Sequence, residues 1–401
     1  MKPDKKMKIC HIITRMVIGG AQENTLFTCL DHLKKGHEFV LLTGPSLGRE
    51  GDLLERLQIE KTTSLRVIHT PFLVRELDLI NDAKALSFIY KFLKQEKFDV
   101  VHTHASKAGI LGRIAARWAK TPVVVHTVHG QPFHVSEKPW KNFIYKASEW
   151  FAAFFCDRIY AVAQAMIDQC VAAKIAPRNK YMVVYSGMDI DNFLNSKYDE
   201  KLAAELGIKR DKIVIGSVAR LFEFKGYEYF IPAALELAKK YDNVEFLIVG
   251  DGKMYDEILA QIKATPYSER FHFAGLVSPD QVYRYISLMD ILWHFSQREG
   301  LPRAVVQALA SGVTAMGFNL DGTPEVIIND ESGFLIEYKH RDLAANLPMI
   351  IEKSSLLIEN DKLRIKFGEN GRKLVAEKFA HEYMSEVLEG EYASLLELKQ
   401  K

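Results

Sequence analysis

The sequence predicts two α/β domains, each built around a parallel β-sheet. Its 401 residues suffice for two or three domains, and the 48% of hydrophobic residues can fill substantial cores. In both halves, short apolar runs alternate with helical patterns, which is typical of βα units. Residues 186–193 interrupt this alternation and separate the two halves.

Seven apolar runs in the first half predict strands at residues 8–14, 38–43, 66–69, 99–103, 123–127, 158–161 and 182–185. Helical patterns between them cover residues 20–35, 83–96, 107–119 and 164–173. The second half repeats the arrangement, with predicted strands at residues 213–219, 245–249, 270–273, 291–295, 314–318 and 333–336. Helical patterns then run from residue 341 to the end.

Charge is distributed unevenly along the chain, although the formal net charge is only +2. Residues 1–190 hold 27 Lys and Arg against 18 Asp and Glu, a charge of +9, which leaves −7 for the remainder. A basic first half could meet an anionic membrane face or a phosphorylated acceptor, and an ordinary solvated surface is the alternative. We expect no nucleic-acid partner.

Cysteine usage and hydropathy indicate a cytoplasmic protein with at most a peripheral membrane contact. The four cysteines show no CxxC or CxxH spacing, which favours a reducing compartment over a disulfide framework. The charged start of the chain lacks the apolar region of a signal peptide. No apolar stretch is long enough to span a bilayer.

Two segments of the second half carry the predicted chemistry. Residues 216–226 bring two cations, Arg220 and Lys225, to the end of a predicted strand. Residues 298–312 place Glu299 just before a helix that is predicted to have Pro302 in its first turn. Open α/β sheets bind ligands at such strand ends, and helix N-termini attract anions. This combination suits a diphosphate that carries a sugar.

The two segments resemble those of the retaining glycosyltransferases of family 4. Further motifs agree in order along nearly the whole chain: Gly19-Gly20-Ala21-Gln22, residues 99–104 (DVVHTH), His129-Gly130, Gly250-Asp251-Gly252 and Gly322-Thr323-Pro324-Glu325. The resemblance implies the GT-B fold, in which two Rossmann-like domains face each other across a cleft. It places an acceptor-side domain at residues 1–190, a linker at 186–193 and a donor-binding domain at 191–380. Residues 381–401 would form a helix that packs back on the first domain.

The resemblance also implies roles for individual residues. Arg220 and Lys225 would neutralise the diphosphate as the glycosidic bond breaks, Glu299 would contact hydroxyls of the donor sugar, and His129 would reach that sugar from the first domain. The remaining donor-binding positions that it implies are Gly19, Gly20, Gly250, Gly252, Val277, Gly300, Leu301, Arg303 and Gln307.

Gln307 departs from the family pattern, which usually has a second glutamate here to hold the nucleotide ribose. A carboxylate accepts hydrogen bonds from both ribose hydroxyls, whereas a carboxamide offers one acceptor and one donor group. Ribose binding by Gln307 is therefore chemically feasible but weaker. The alternative is that Gln307 is an ordinary helix-surface residue.

Two patterns suggest a metal, and we favour a non-metal interpretation of both. His102, His104 and His126 alternate with apolar residues, and packing or acceptor-side hydrogen bonds explain them. Asp189 and Asp191 spell a DxD motif, but they lie in the linker. We therefore expect metal-independent transfer with no cofactor.

Residues 140–155 contain eight large apolar or aromatic side chains, with Lys138, Lys141 and Lys146 nearby. A basic aromatic helix can lie on a membrane surface. Burial of this helix against the first domain is the more common arrangement, and we favour it slightly.

The resemblance implies an enzyme that moves a sugar from a nucleoside-diphosphate sugar, UDP-linked by family frequency, with retention of configuration. The leaving phosphate would help to deprotonate the acceptor, for example a lipid-linked or cell-surface glycan precursor. A nucleotide-sugar epimerase or sugar phosphorylase on the same scaffold is an alternative. A non-catalytic sugar-nucleotide-binding protein is another, motivated by Gln307.

Overall fold

The computed structural model describes residues 6–46, 51–131, 133 and 138–400. The chain divides into two compact units, Met1–Met188 with Phe379–Lys401 and Asp189–Lys378. Each unit carries one parallel sheet, as the sequence predicts.

The first unit has a seven-stranded sheet in the order β3-β2-β1-β4-β5-β6-β7 within the described residues. Its strands are β1 Lys8–Ile13, β2 Glu38–Thr43, β3 Arg66–His69, β4 Val100–His104, β5 Val123–Val128, β6 Arg158–Ala161 and β7 Tyr181–Val183. Its helices are α1 Gly20–Lys34, α2 Leu53–Arg56, α3 Ile59–Thr62, α4 Leu79–Glu96, α5 Ser106–Trp118, α6 Pro139–Ala153 and α7 Gln164–Ala172. The order of the strands reverses between β1 and β4, which is where such sheets form ligand sites.

The second unit has a six-stranded sheet in the order β10-β9-β8-β11-β12-β13 within the described residues. Its strands are β8 Ile213–Val218, β9 Val244–Val249, β10 Phe271–Gly275, β11 Ile291–His294, β12 Thr314–Phe318 and β13 Gly333–Ile336. Its helices are α8 Asp191–Leu194, α9 Glu200–Leu206, α10 Tyr227–Lys240, α11 Tyr255–Lys263, α12 Val282–Ile286, α13 Arg303–Ala310, α14 Leu343–Glu359 and α15 Asp361–Lys378.

The last helix, α16 (His381–Gln400), belongs to the first unit. Its apolar face, which includes Leu388 and Tyr392, packs into the same core as β1 and β2. Polar pairs flank this face. The His381 ring and the Ser385 hydroxyl contact Asp31 of α1 at 2.7 and 2.8 Å. Glu389 contacts His37 at 2.8 Å.

Helix α4 starts four residues earlier than the predicted 83–96, because Asp78 caps it. The Asp78 carboxylate accepts hydrogen bonds from the backbone N–H groups of Ile80 and Asn81. An N-cap carboxylate satisfies amides that a helix leaves unpaired, and it therefore fixes the first turn. Leu79 and Ile80 are apolar but exposed, so the periodicity of apolar residues does not show where this helix begins.

Candidate active site

Two loops of the second unit start side by side, because β8 and β11 are neighbours in the sheet. Gln297 N–H donates to the Phe224 carbonyl at 2.9 Å, which ties the two loops together. Gly226 lies between Lys225 and α10 with φ of +89°. A side chain there would lie 2.4 Å from the Phe295 carbonyl oxygen, so glycine is required at this close approach.

These loops bring Lys225 and Glu299 into contact, although the two residues are 74 positions apart in sequence. The Lys225 ammonium donates to the Glu299 carboxylate at 2.6 Å, and it lies 3.5 Å from the Ser296 hydroxyl. The side chains are 24% and 17% exposed, so the pair is largely shielded but open to solvent on one side. A cation and an anionic acceptor thus meet at the strand ends.

The surroundings of Glu299 hold it in place and keep it ionised. Its backbone N–H donates to the Asp321 carboxylate at 3.0 Å. Burial favours the neutral acid, but His294 and Lys225 more than offset this effect and lower the pKa of Glu299. Burial lowers the pKa of His294 as well. His294 Nε2 lies 3.5 Å from the Glu299 carboxylate but has no hydrogen-bond partner among the described residues.

His294 is a residue that the sequence interpretation missed. The sequence did contain a signal for His294, because it is the last residue of a buried strand that ends beside the Glu299 segment.

Arg220, which the sequence resemblance assigns to the diphosphate, lies on the loop that follows β8. Its side chain is exposed, and its guanidinium lies 5.3 Å from the Phe222 ring on the same loop.

Gly250 and Gly252 follow β9 and pack against the loop that carries Arg220. A side chain at Gly250, whose φ is +140°, would lie 2.0 Å from the Ala219 carbonyl oxygen. One at Gly252 would lie 2.3 Å from the Leu221 carbonyl oxygen. These glycines therefore allow two backbone segments to touch. Val277, after β10, is half-buried.

Helix α13 begins at Arg303, and Pro302 is its N-cap rather than a residue of its first turn. The side chain of Pro302 makes no capping hydrogen bond to the first turn of α13. Leu301 itself is buried and anchors the loop before this helix. Gln307 is half-buried one turn further along α13.

In the first unit, Gly19 and Gly20 lie at the start of α1, after β1. Gly19 is the N-cap, and its carbonyl accepts from the Glu23 N–H at 3.0 Å. A side chain at Gly19 would lie 2.8 Å from the oxygen at the end of the flexible Gln22 side chain, which can move aside.

His129 follows β5 and lines a cavity of about 160 Å³ within the first unit. Its Nε2 lies 3.0 Å from Nδ1 of His104. Burial lowers the pKa of His129 to about 4. Its ring is therefore neutral at physiological pH and offers one donor and one acceptor nitrogen.

His102, His104 and His126, the three histidines for which the sequence favoured packing or hydrogen bonds over a metal, do not form one group. His126 points away and contacts the Thr103 hydroxyl at 3.0 Å. His11, which the sequence interpretation did not single out, joins His102 and His104 instead. Their nitrogen atoms lie within 4.8 Å of one another.

The DxD motif is part of the chain segment that enters the second unit. Asp191 begins the short helix α8, and its N–H donates to the Asp189 carboxylate at 3.3 Å. The motif thus organises a helix start.

The aromatic helix α6 departs from the favoured interpretation of burial. Most of its large apolar side chains are about half exposed or more, and Phe143 is 73% exposed, whereas Tyr145 is half-buried. The exposed set is Trp140, Phe143, Ile144, Trp150 and Phe151, followed by Phe154 just after the helix. Among the described residues, no helix combines the length and the apolar character that crossing a membrane requires.

Two parallel-sheet units, with a Lys–Glu pair at adjacent strand ends of the second, are the arrangement expected of glycosyltransferases that use nucleotide sugars. Residues 18–192 match the model of Glycosyltransferase Family 4, and residues 199–374 match that of Glycosyl transferases group 1. The chain is also 32% identical over 351 residues to an *Escherichia coli* protein, covering 85% of this chain and 87% of that one. The chain belongs to glycosyltransferase family 4 and is a glycosyltransferase.

The names of the relatives describe their own activities. The *Escherichia coli* protein is UDP-Gal:alpha-D-GlcNAc-diphosphoundecaprenol alpha-1,3-galactosyltransferase. The capsular polysaccharide biosynthesis glycosyltransferase CapM of *Staphylococcus aureus* is 27% identical, covering 82% of this chain and 86% of that one. The Anabaena HepE protein, solved in complex with UDP, has a TM-score of 0.77 at 20% identity and covers 97% of this chain and 100% of that one. That likeness shows the GT-B fold.

Proposed function

We propose that this glycosyltransferase moves a sugar from a UDP-sugar, with retention of configuration, to a lipid-linked or cell-surface glycan precursor. Arg220 and Lys225 bind the diphosphate, Glu299 accepts hydrogen bonds from hydroxyls of the sugar, and Gln307 contacts the ribose. His129 contacts the donor sugar from the first unit. Gly19, Gly20, Gly250, Gly252, Val277, Gly300, Leu301 and Arg303 complete the donor site.

The contact between Lys225 and Glu299 carries this proposal. A diphosphate that gains charge as the glycosidic bond breaks needs a fixed cation, and the sugar hydroxyls beside it need an acceptor. The pair presents both groups from neighbouring strand ends. Charge pairing orders both side chains before the donor arrives, so little reorganisation is required.

The *Escherichia coli* relative suggests the first substrates to test, UDP-galactose and a GlcNAc-diphosphoundecaprenol acceptor. Purified protein should release UDP and lengthen the acceptor, and NMR of the product should show an α-linkage. UDP-glucose and UDP-N-acetylglucosamine serve as competing donors. A β-linked product would contradict retention. Interconversion of free UDP-sugars without transfer would favour the epimerase alternative.

We also propose that transfer needs no metal, because Arg220 and Lys225 supply the positive charge that a metal supplies elsewhere.

The exposed face of α6 supports a peripheral contact with the cytoplasmic face of a membrane. Phe143 and Phe154 can enter the headgroup region while Lys138 and Lys141 face anionic lipid. Such a contact would bring the acceptor side of the enzyme to a lipid-linked substrate.

Sedimentation with vesicles tests the membrane contact. The parent protein should sediment with vesicles of anionic phospholipid, and Phe143→Asp with Phe154→Asp should release it. Ile365→Asp is the matched control, because Ile365 is 61% exposed on α15 of the second unit. Equal sedimentation of the double variant and the parent would exclude α6 as the membrane contact.

A further inference from the structure

A chain of hydrogen bonds runs from His129 into the core of the first unit. His129 Nε2 contacts His104 Nδ1 at 3.0 Å, and His104 Nε2 contacts His11 Nδ1 at 2.9 Å. His11 Nε2 lies 3.4 Å from the Tyr392 hydroxyl of α16. Four side chains from β1, β4, α16 and the end of β5 thus form one continuous line.

The line continues beyond Tyr392. The Tyr392 hydroxyl contacts His102 Nδ1 at 2.5 Å, and His102 Nε2 contacts the Thr127 hydroxyl at 2.6 Å. Thr127 and His129 line the same cavity, so the line leaves this cavity and returns to it.

Strand pairing brings these side chains together in a buried place. β1 and β4 are parallel neighbours, and His11 stands opposite His102 in their register. His11, His102, His104 and Tyr392 are at most 1% exposed. Burial lowers the pKa of His11, His102 and His104 well below the ordinary value, so all three rings are neutral.

Neutral rings give the line a direction. A neutral imidazole has one N–H and one bare nitrogen, so a ring that donates on one side must accept on the other. Therefore, once the donor and the acceptor of one hydrogen bond are known, the nitrogen that carries the proton is fixed in every ring of the line. Each ring nitrogen of His11, His102 and His104 already has a partner in the line, so a metal at this cluster would have to break it.

Tyr392 selects the direction. A phenol is a good hydrogen-bond donor, and its proton belongs in the shorter of its two contacts, the one to His102. His102 then donates from Nε2 to Thr127. On the other side, Tyr392 accepts from His11 Nε2–H, His11 accepts from His104 Nε2–H, and His104 accepts from His129 Nε2–H.

We propose that Tyr392, acting through His11 and His104, holds His129 in the Nε2–H tautomer and leaves its Nδ1 bare to accept a hydrogen bond from a hydroxyl of the donor sugar. His11, His104 and Tyr392 are positioning residues in this scheme. The sugar contact itself rests on the proposed function, whereas the tautomer is a property of the free protein.

The tautomer can be measured directly in the full-length protein with ¹⁵N-labelled histidine. The NMR signals of His129 can be assigned because they disappear in His129→Gln. At neutral pH, these signals should show a protonated Nε2 and a bare Nδ1. Tyr392→Phe removes the hydroxyl that sets the direction, and His129 should then populate both tautomers.

Tyr160→Phe is the matched control. Tyr160 is also fully buried, its ring lies 5.6 Å from that of His102, and its hydroxyl has no hydrogen-bond partner among the described residues. This variant should leave the His129 signals unchanged. His104→Asn is a second test should Tyr392→Phe not fold, because Asn can still meet His129 but cannot reach His11. It should also mix the two tautomers.

Titration with UDP-galactose and with UDP separates this inference from the proposed function. In Tyr392→Phe, affinity for UDP-galactose should fall by about twofold relative to UDP, since half of the molecules would present the wrong tautomer. If the tautomer changes and this ratio does not, the assignment stands and the sugar contact of His129 is wrong. A proton on Nδ1 of the parent, or a tautomer unaffected by the loss of the Tyr392 hydroxyl, overturns the assignment.

Discussion

The Lys225 ammonium lies 2.6 Å from the Glu299 carboxylate, across the ends of two neighbouring strands. The contact is largely shielded, and it unites the two segments from which the sequence predicted the donor site. The consequences for catalysis and for stability can be tested separately.

Lys225→Ala should lower turnover of the UDP-sugar by about 100-fold or more, because it removes a fixed charge beside the leaving diphosphate. It should also lower the free energy of unfolding by about 1–3 kcal/mol, because Glu299 loses its partner in a shielded place. Steady-state kinetics and urea unfolding measure the two effects. Lys239→Ala is the control, since it breaks an exposed Lys–Glu pair of the same 2.6 Å length. Near-normal turnover in Lys225→Ala would remove Lys225 from the catalytic site.

Chelator should leave transfer unchanged if Arg220 and Lys225 neutralise the diphosphate. Rates with and without excess EDTA, after dialysis, provide the measurement. Loss of activity that magnesium or manganese restores would contradict the proposal and assign a metal to the donor site.

Gln307→Leu should weaken UDP binding by about 1–3 kcal/mol, because the ribose hydroxyls would lose a partner on desolvation. Gln307→Glu should bind UDP as well as the parent or more tightly, since a carboxylate accepts from both hydroxyls and charge-assisted bonds are stronger. Isothermal titration calorimetry measures both variants. Unchanged binding in Gln307→Leu would show that Gln307 does not hold the ribose.

Acid should destabilise the first unit before the second. Burial lowers the pKa of His32 and His129 to about 4, and that of His11, His102, His104 and His126 well below 6.5. The unfolded chain therefore binds more protons below pH 6.5, and each such histidine costs about 1.4 kcal/mol per pH unit until its folded pKa is reached. Among the described residues, the second unit has one histidine with a lowered pKa, His294.

Calorimetry at pH 7 and at about pH 5, with limited proteolysis to identify the unit that opens, tests this order of unfolding. The first unit should lose the larger part of its stability. Equal losses in the two units would show that the buried histidines are not responsible.

Much of the fold follows from the sequence because parallel strands buried on both faces are continuous apolar runs. All thirteen predicted strands occur at or near their expected positions. The proposed donor-site segments were chosen for a related reason, since functional loops of open sheets lie at the carboxyl ends of strands. The resemblance of these loops to family 4 then pointed to Lys225 and Glu299.

Helix periodicity could not decide the position of α6, because the same aromatic pattern suits a buried face or an exposed one. Only the packed unit shows Phe143 and Phe154 open to solvent.

The sequence by itself determined two parallel-sheet units and the family, and it predicted the segments of the proposed donor site, because these depend on local patterns of apolar residues and short motifs. Only the tertiary structure decided which polar groups meet. His11 and Tyr392 are 381 positions apart, and they come together because α16 returns to the first sheet. Hydrogen bonds act over about 3 Å in space and impose no spacing along the chain, so no sequence pattern records them.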